Sequence, residues 1–404
     1  MKKLFIISTI IICIINAYGH NWVEFTTDES TNPHHSVIKS NDTIVEFEVT
    51  IPGIFNMLVD TFNRVNIKEH TRMDSVGLPE VPIVSFLVAI PQCDSVYLNV
   101  DLKDSTKINN INIYPAPALT PDTTAGGAIA LVEEFAYNRT AYETNAYFPG
   151  KLAQAIDKGA IRNQNVVRVV LYPVQFNPVT KTVNAFSKYK ITLTFENPTE
   201  AINNDVGIFN EVVGNSLINY NSNGLNASIN WGAGYIKSGT YKWVTSFSNG
   251  YIDDSCDYLI ITNQNFYTDT VAKNEIEKLA NHRAGFNGFD VAITKMGTIN
   301  AVFSDTLDLD IDEKLKYLVR NTYNDSNALH TYDSKLAYVN LFGDLIMESG
   351  LDGVPTHEEG YDIYFTQLTY DSTTGQYDPY PDLMIGRCSV DDTGQVQNVV
   401  HKIV

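Results

Sequence analysis

The sequence predicts two folded units of different class: an all-β sandwich or jelly-roll, then the opening part of an α/β unit with a mainly parallel sheet. Three observations predict this. Short runs alternating apolar and polar, bounded by Asn, Asp, Pro or Gly, fill the first half, and no long stretch there shows a helical period. A low-charge stretch rich in Asn, Ser and Gly follows from Asn221 to Gly250. Beyond it, unbroken apolar runs alternate with helical periods, the pattern of parallel strands joined by crossover helices.

In the first unit, Ile44 to Ile51, Val96 to Leu102 and Lys190 to Phe195 each alternate as half-buried strands do. So many short strands close most naturally into a sandwich or jelly-roll. Lys151 to Gly159 is the exception and reads as a short helix. The Asn221 to Gly250 stretch has little to bury and many turn formers, which is linker composition. The second unit then reads as strand Tyr258 to Thr262, helix Thr270 to Arg283, strand Asp290 to Thr294 and helix Asp310 to Tyr323. Strand Ala337 to Phe342, strand Pro381 to Gly386 and a helix from Asp391 complete it. His401 to Val404 falls within an apolar period, as in a chain cut inside a helix. The expected division is 1–19, 20–225, 226–250 and 251–404.

The first of these segments is a signal peptide. Lys2 and Lys3 precede an apolar run from Leu4 to Ile15, and Ala17-Tyr18-Gly19 offers small residues at cleavage spacing. The run is too short for a membrane span, and no later segment is long enough. Export follows, with a secreted or extracellular location, or the cell surface for a longer protein. Cys13 leaves with the signal peptide. Cys93, Cys256 and Cys388 are widely spaced and odd in number, so they form neither a disulfide framework nor a zinc motif. A net charge of -19 argues against a nucleic-acid partner, since neutralising phosphates takes a basic face.

Chemistry in parallel sheets gathers where strands end at their carboxyl edge. Those ends carry Thr262-Asn263, Thr294-Lys295, Gly343-Asp344 and Gly386-Arg387. Asp344 follows a glycine at the rim and could ligate a cation, orient a base or cap the next segment. Glu358, Glu359, Asp362, Asp371, Asp378 and Asp382, interleaved with tyrosines, form an acidic loop region of the kind that binds calcium or simply faces water. Cys388, just past the last strand, is paired with His357 as a thiol–imidazole test case. There is no phosphate loop, zinc motif or serine nucleophile elbow.

Two groups of residues resemble a known family. Gly77-Leu-Pro-Glu-Val-Pro82 with Ile90-Pro91, Tyr147-Phe-Pro-Gly150, Ile161-Arg162 and Leu171 to Thr182 resemble the propeptide of the gingipain-like cysteine peptidases, peptidase family C25. Asp257 to Thr262, Phe342-Gly-Asp344, Val354-Pro-Thr356, Tyr361-Asp-Ile-Tyr364 and Pro381 to Arg387 resemble the opening of its peptidase domain. The resemblance implies a β-rich propeptide that packs on, and restrains, the first part of a caspase-like α/β domain. It implies a cysteine endopeptidase acting on protein and peptide substrates. The family's base lies in a His-Gly pair and its nucleophile in a Cys-x-x-Gly motif, both after the Ile-Gly-Arg strand. No His or Cys of this sequence fits either, so the dyad is expected beyond Val404 and no catalytic residue within the chain. Calcium in some members makes Asp344 and Asp362 the candidate ligands of a structural ion. The stretch from Asn221 to Cys256 has no Arg, only Lys237 and Lys242, which disfavours release there by an Arg-specific enzyme. The alternative reading is an exported binding or adhesion module on a peptidase-like scaffold.

Overall fold

The computed structural model describes residues 21–27, 30–122, 130–162, 164–199, 201–202, 210–220, 239–247, 250–252, 256–303, 309–323, 336–346, 353–357, 361–371 and 375–404. The signal-peptide segment, most of the expected linker, and Glu358 and Glu359 lie outside these residues.

The first unit is an antiparallel sandwich. Its spine is the long strand Thr182–Glu196, which pairs with Val174–Asn177 and Ile44–Thr50 and, over its whole length, with Ser95–Asn109. Ile44–Thr50 in turn pairs with the edge strand His34–Ser40. Alternation works as expected: Ile191, Leu193 and Phe195 turn inward, while Lys190 and Thr192 are half-buried. The register against Ser95–Asn109 shifts between Phe186 and Tyr189, yet the strand keeps its alternation, with Ala185, Ser187 and Tyr189 all inside. Two three-stranded sheets close the same core, Asn21–Glu24 with Gly53–Val59 and Phe62–Asn66, and Ala153–Ile161 with Gln164–Leu171 and Val84–Ala89. Phe47, Phe176, Ile113 and Leu171 are fully buried there, each contributing about 1.5–3 kcal/mol by leaving water.

One prediction for the first unit fails. Lys151 to Gly159 is not a helix, because Ala153–Ile161 forms a strand against Gln164–Leu171. Its Ala, Gln and Lys favour helix weakly, and cross-strand pairing on both sides of a bulge at Asp157-Lys158 outweighs that preference.

The second unit is a five-stranded parallel sheet ordered Tyr241–Trp243, Val291–Lys295, Tyr258–Thr262, Tyr338–Phe342, Met384–Cys388. Tyr241–Trp243, inside the stretch read as linker, is thus its first strand. Leu259, Ile261 and Leu341 face one core with helices Met296–Phe303 and Ile311–Tyr323. Tyr258, Ile260 and Phe342 face the other, with helices Thr270–Asn287 and Thr393–Ile403. Asp269 starts the Thr270 helix by accepting from the amides of Val271 and Ala272, at 2.8 and 2.9 Å. Gly288 ends it at φ 72°, a left-handed turn that glycine enters without strain. Among the described residues no helix is long and apolar enough to cross a membrane.

Candidate functional site

Two polar constructions stand at opposite ends of the parallel sheet. At the amino end, the turn of the Ala153–Ile161 and Gln164–Leu171 hairpin reaches across from the sandwich. Arg162, at φ 55°, donates from Nη1 to the carbonyls of Leu336, 3.3 Å away, and Asp382, 3.1 Å away. These carbonyls lie just before the strands Tyr338–Phe342 and Met384–Cys388. The guanidinium also sits 5.4 Å over the ring of Tyr323. Burial lowers the Arg162 pKa, opposed by Tyr323 and Asp382.

The second unit grips back. Asp378 accepts from the Ala160 amide at 2.9 Å, and Tyr380 donates to the Asp157 carbonyl at 2.7 Å. Gly159 makes this possible, since a Cβ there would lie 2.7 Å from the Tyr380 ring and 2.9 Å from Asp378. Ile161, Leu217 and Tyr220 of the first unit share one apolar cluster with Ala337 and Tyr380 of the second. Asp382 is fully buried and takes hydrogen bonds from the amides of Leu368 and Thr369, both at 2.9 Å. Burial, with Asp378 adding to it, pushes its carboxyl up to about 6. The sequence reading placed Asp378 and Asp382 among candidate cation ligands. In the fold they hold backbone donors instead.

The carboxyl end is knit by Arg387. Its side chain, 7% exposed, meets both oxygens of Asp362 at 2.6 and 2.8 Å and donates to the carbonyls of Gly343, Val354 and Pro355. It therefore fixes three loop segments onto the last strand. Asp344 lies at the same rim, where its carboxylate raises the pKa of neighbouring Asp391 by hydrogen bonding and charge. Calcium fits poorly here: Asp362 spends both oxygens on a guanidinium. No three His, Cys, Asp or Glu side chains converge on a metal position among the described residues.

Cys388 and His357 do not meet. Neighbours on a strand point to opposite faces, and Arg387 already occupies the face of His357. His357 lies 2.7 Å from Asp312 and stacks on Tyr364 at 3.6 Å, against the Ile311–Tyr323 helix. Cys388 packs on the other face beside Phe342 and Val396, and burial pushes its thiol pKa up. Cys388 is half-buried, while Cys93 and Cys256 are buried, Cys256 with its thiol raised to about 12 by burial. Such thiols are poor nucleophiles.

The order of the two units has a counterpart in known proteins. A model of the C25 propeptide matches residues 26–227, and a model described as peptidase family C25 matches residues 251–404. The chain belongs to peptidase family C25, propeptide included. Gingipain R1 of Porphyromonas gingivalis is 27% identical over 131 residues, covering 31% of this chain and 12% of that protein. Lys-gingipain HG66 of the same organism is 26% identical over 142 residues, covering 35% of this chain and 8% of that protein. The matched stretches are thus a small fraction of these C25 relatives. A solved complex of the Porphyromonas gingivalis RgpB pro- and mature domains aligns at TM-score 0.40 and 19% identity, covering 47% of this chain and 100% of that one. A structure on the zymogenic latency of gingipain K from that organism aligns at TM-score 0.37 and 18% identity, covering 44% and 100%.

Proposed function

We propose that this chain is the front part of a secreted cysteine endopeptidase precursor, with Met1 to Gly19 as its signal peptide and 20–225 as its propeptide. The observation that carries the reading is the order of the two C25 matches, together with the Arg162 hairpin seated on the peptidase sheet. In the longer protein a thiolate attacks the peptide carbonyl carbon, and the C–N bond breaks as an imidazolium protonates the leaving amine. Water, deprotonated by the same imidazole, then adds to the thioester carbonyl, the C–S bond breaks, and the acid leaves with the thiolate and imidazolium restored. The substrates are proteins and peptides.

Neither the His-Gly nor the Cys-x-x-Gly motif occurs in these residues, so the chain by itself is inactive. Reading the coding DNA past codon 404 tests this, joined to an assay of both products on a denatured protein substrate. Expected are an open frame carrying both motifs, hydrolysis by the longer product that thiol alkylation abolishes, and none by the 404-residue chain. Alkylation-sensitive hydrolysis by the short chain would overturn the reading.

A further inference from the structure

The strands Tyr258–Thr262 and Val291–Lys295 are neighbours, yet the helices that follow them lie on opposite faces of the sheet. That arrangement opens a crevice outside their carboxyl ends, the place where parallel sheets take ligands. On one side of it stands a group of residues that neither the Arg387 clamp nor the hairpin lock uses. Lys295, the last residue of its strand, has its ammonium 3.9 Å from the ring centre of Tyr267. Lys273, from the first turns of the Thr270–Asn287 helix, comes 4.6 Å from the same ring and 5.3 Å from that of Trp243. Trp243 stands edge-on to Tyr267 at 5.0 Å.

Two like charges on one ring repel each other, and an acidic protein has ample carboxylates to separate or neutralise them. Here it does not: among the described residues neither lysine forms an ion pair. The nearby acids are engaged elsewhere. Glu277 accepts from the Trp243 indole at 2.6 Å, while Asp269 caps its helix and accepts from Thr393.

We propose that Lys273 and Lys295 form an anion site at the carboxyl rim that takes a side-chain carboxylate of an acidic peptide segment. The two half-buried ammonium groups supply charge-assisted donors, and the rings of Tyr267 and Trp243 shield them from water on one side. The choice of a peptide carboxylate rests on the peptidase reading, which puts polypeptide along this rim. The anion site itself does not rest on it.

The test is lysine footprinting of the 404-residue protein with an amine-acylating reagent, read by peptide mass spectrometry. The probes are an N-acetylated, C-amidated triglutamate, its glutamine counterpart and inorganic phosphate. Expected is a severalfold slower acylation of both Lys273 and Lys295 with the glutamate peptide alone. In K295Q, whose ring contacts lie at the surface, the protection of Lys273 should disappear. Unchanged acylation rates would overturn the proposal, as would equal protection by phosphate or protection that survives K295Q. Because no hydrolysis is involved, a failed footprint leaves the peptidase reading standing, and an inactive longer protein leaves the footprint standing.

Discussion

The two ends of the parallel sheet are built for different work. At the amino end, groups from both units are sunk together: Arg162 on two carbonyls, Asp378 on an amide, Tyr380 on a carbonyl, with Ile161 and Ala337 packed beside them. At the carboxyl end one arginine ties the loops down, and the remaining charged groups stay near the surface. Asp344 and Asp391 face each other there, and Lys295 rests on a ring. Buried polar groups that complement each other across a seam fix one arrangement; half-exposed ones of like charge stay available to a visitor. The difference separates anchoring from recognition along a sheet only five residues deep.

The comparison is open to attack at several points. The largest effect is expected from Arg387→Ala. It leaves Asp362 facing no cation and three carbonyls without their donor, so it should cost about 3–5 kcal/mol in urea unfolding. Loss of under 1 kcal/mol, by order of magnitude, would mean that the rim is not held by this residue. Arg162→Ala should cost about 2–3 kcal/mol, since both carbonyls and the Tyr323 face lose their partner. Its mark should be local: faster amide exchange at 157–162 and 378–382, with the 343–362 rim unchanged. If the rim loosened equally, the two ends would not be independent.

A smaller effect, about 1–3 kcal/mol, is expected for Gly159→Ala, whose methyl must push Tyr380 or Asp378 aside. Thermal unfolding of this variant beside Gly285→Ala, at a position with open space, isolates the clash from the change in backbone freedom.

The subtlest test is pH. Asp382 holds its proton up to about 6 in the folded protein and gives it up near 4 when unfolded. Its protonation therefore favours folding fully below the unfolded value, and that contribution is lost as pH rises through about 6. Asp382→Asn should flatten this part of the stability profile. An unchanged slope between pH 4 and 6 would show the carboxyl to be ionised in its pocket.

Much of this architecture could be read before the fold was known, because it rests on periodicity. The Ile44, Ser95 and Thr182 strands, the Tyr258, Val291 and Tyr338 strands and the helices at Thr270, Ile311 and Thr393 each carry their own apolar pattern. What escaped depends on distant partners. Tyr241–Trp243 is three residues in linker-like company, and only its pairing with Val291 to Ile293 makes it a strand. Lys151 to Gly159 looks helical until the Gln164 strand lies beside it. Arg162 stood out as part of a signature, but its role needs carbonyls more than 170 residues away. In the sequence Asp378 and Asp382 read either as calcium ligands or as part of an acidic loop facing water, and in the fold both are buried. Backbone amides, invisible in a sequence, met them first.

The seam between the units has a consequence for how this polypeptide comes into being. Synthesis runs from the amino terminus, so the sandwich is complete while the segment that Arg162 will reach, up to 220 positions downstream, has yet to be made. Until then Ile161, Leu217 and Tyr220 present an uncovered greasy spot beside the Arg162 side chain. The finished front half must wait for its lid, and any partner that shelters a nascent chain has a defined place on which to sit.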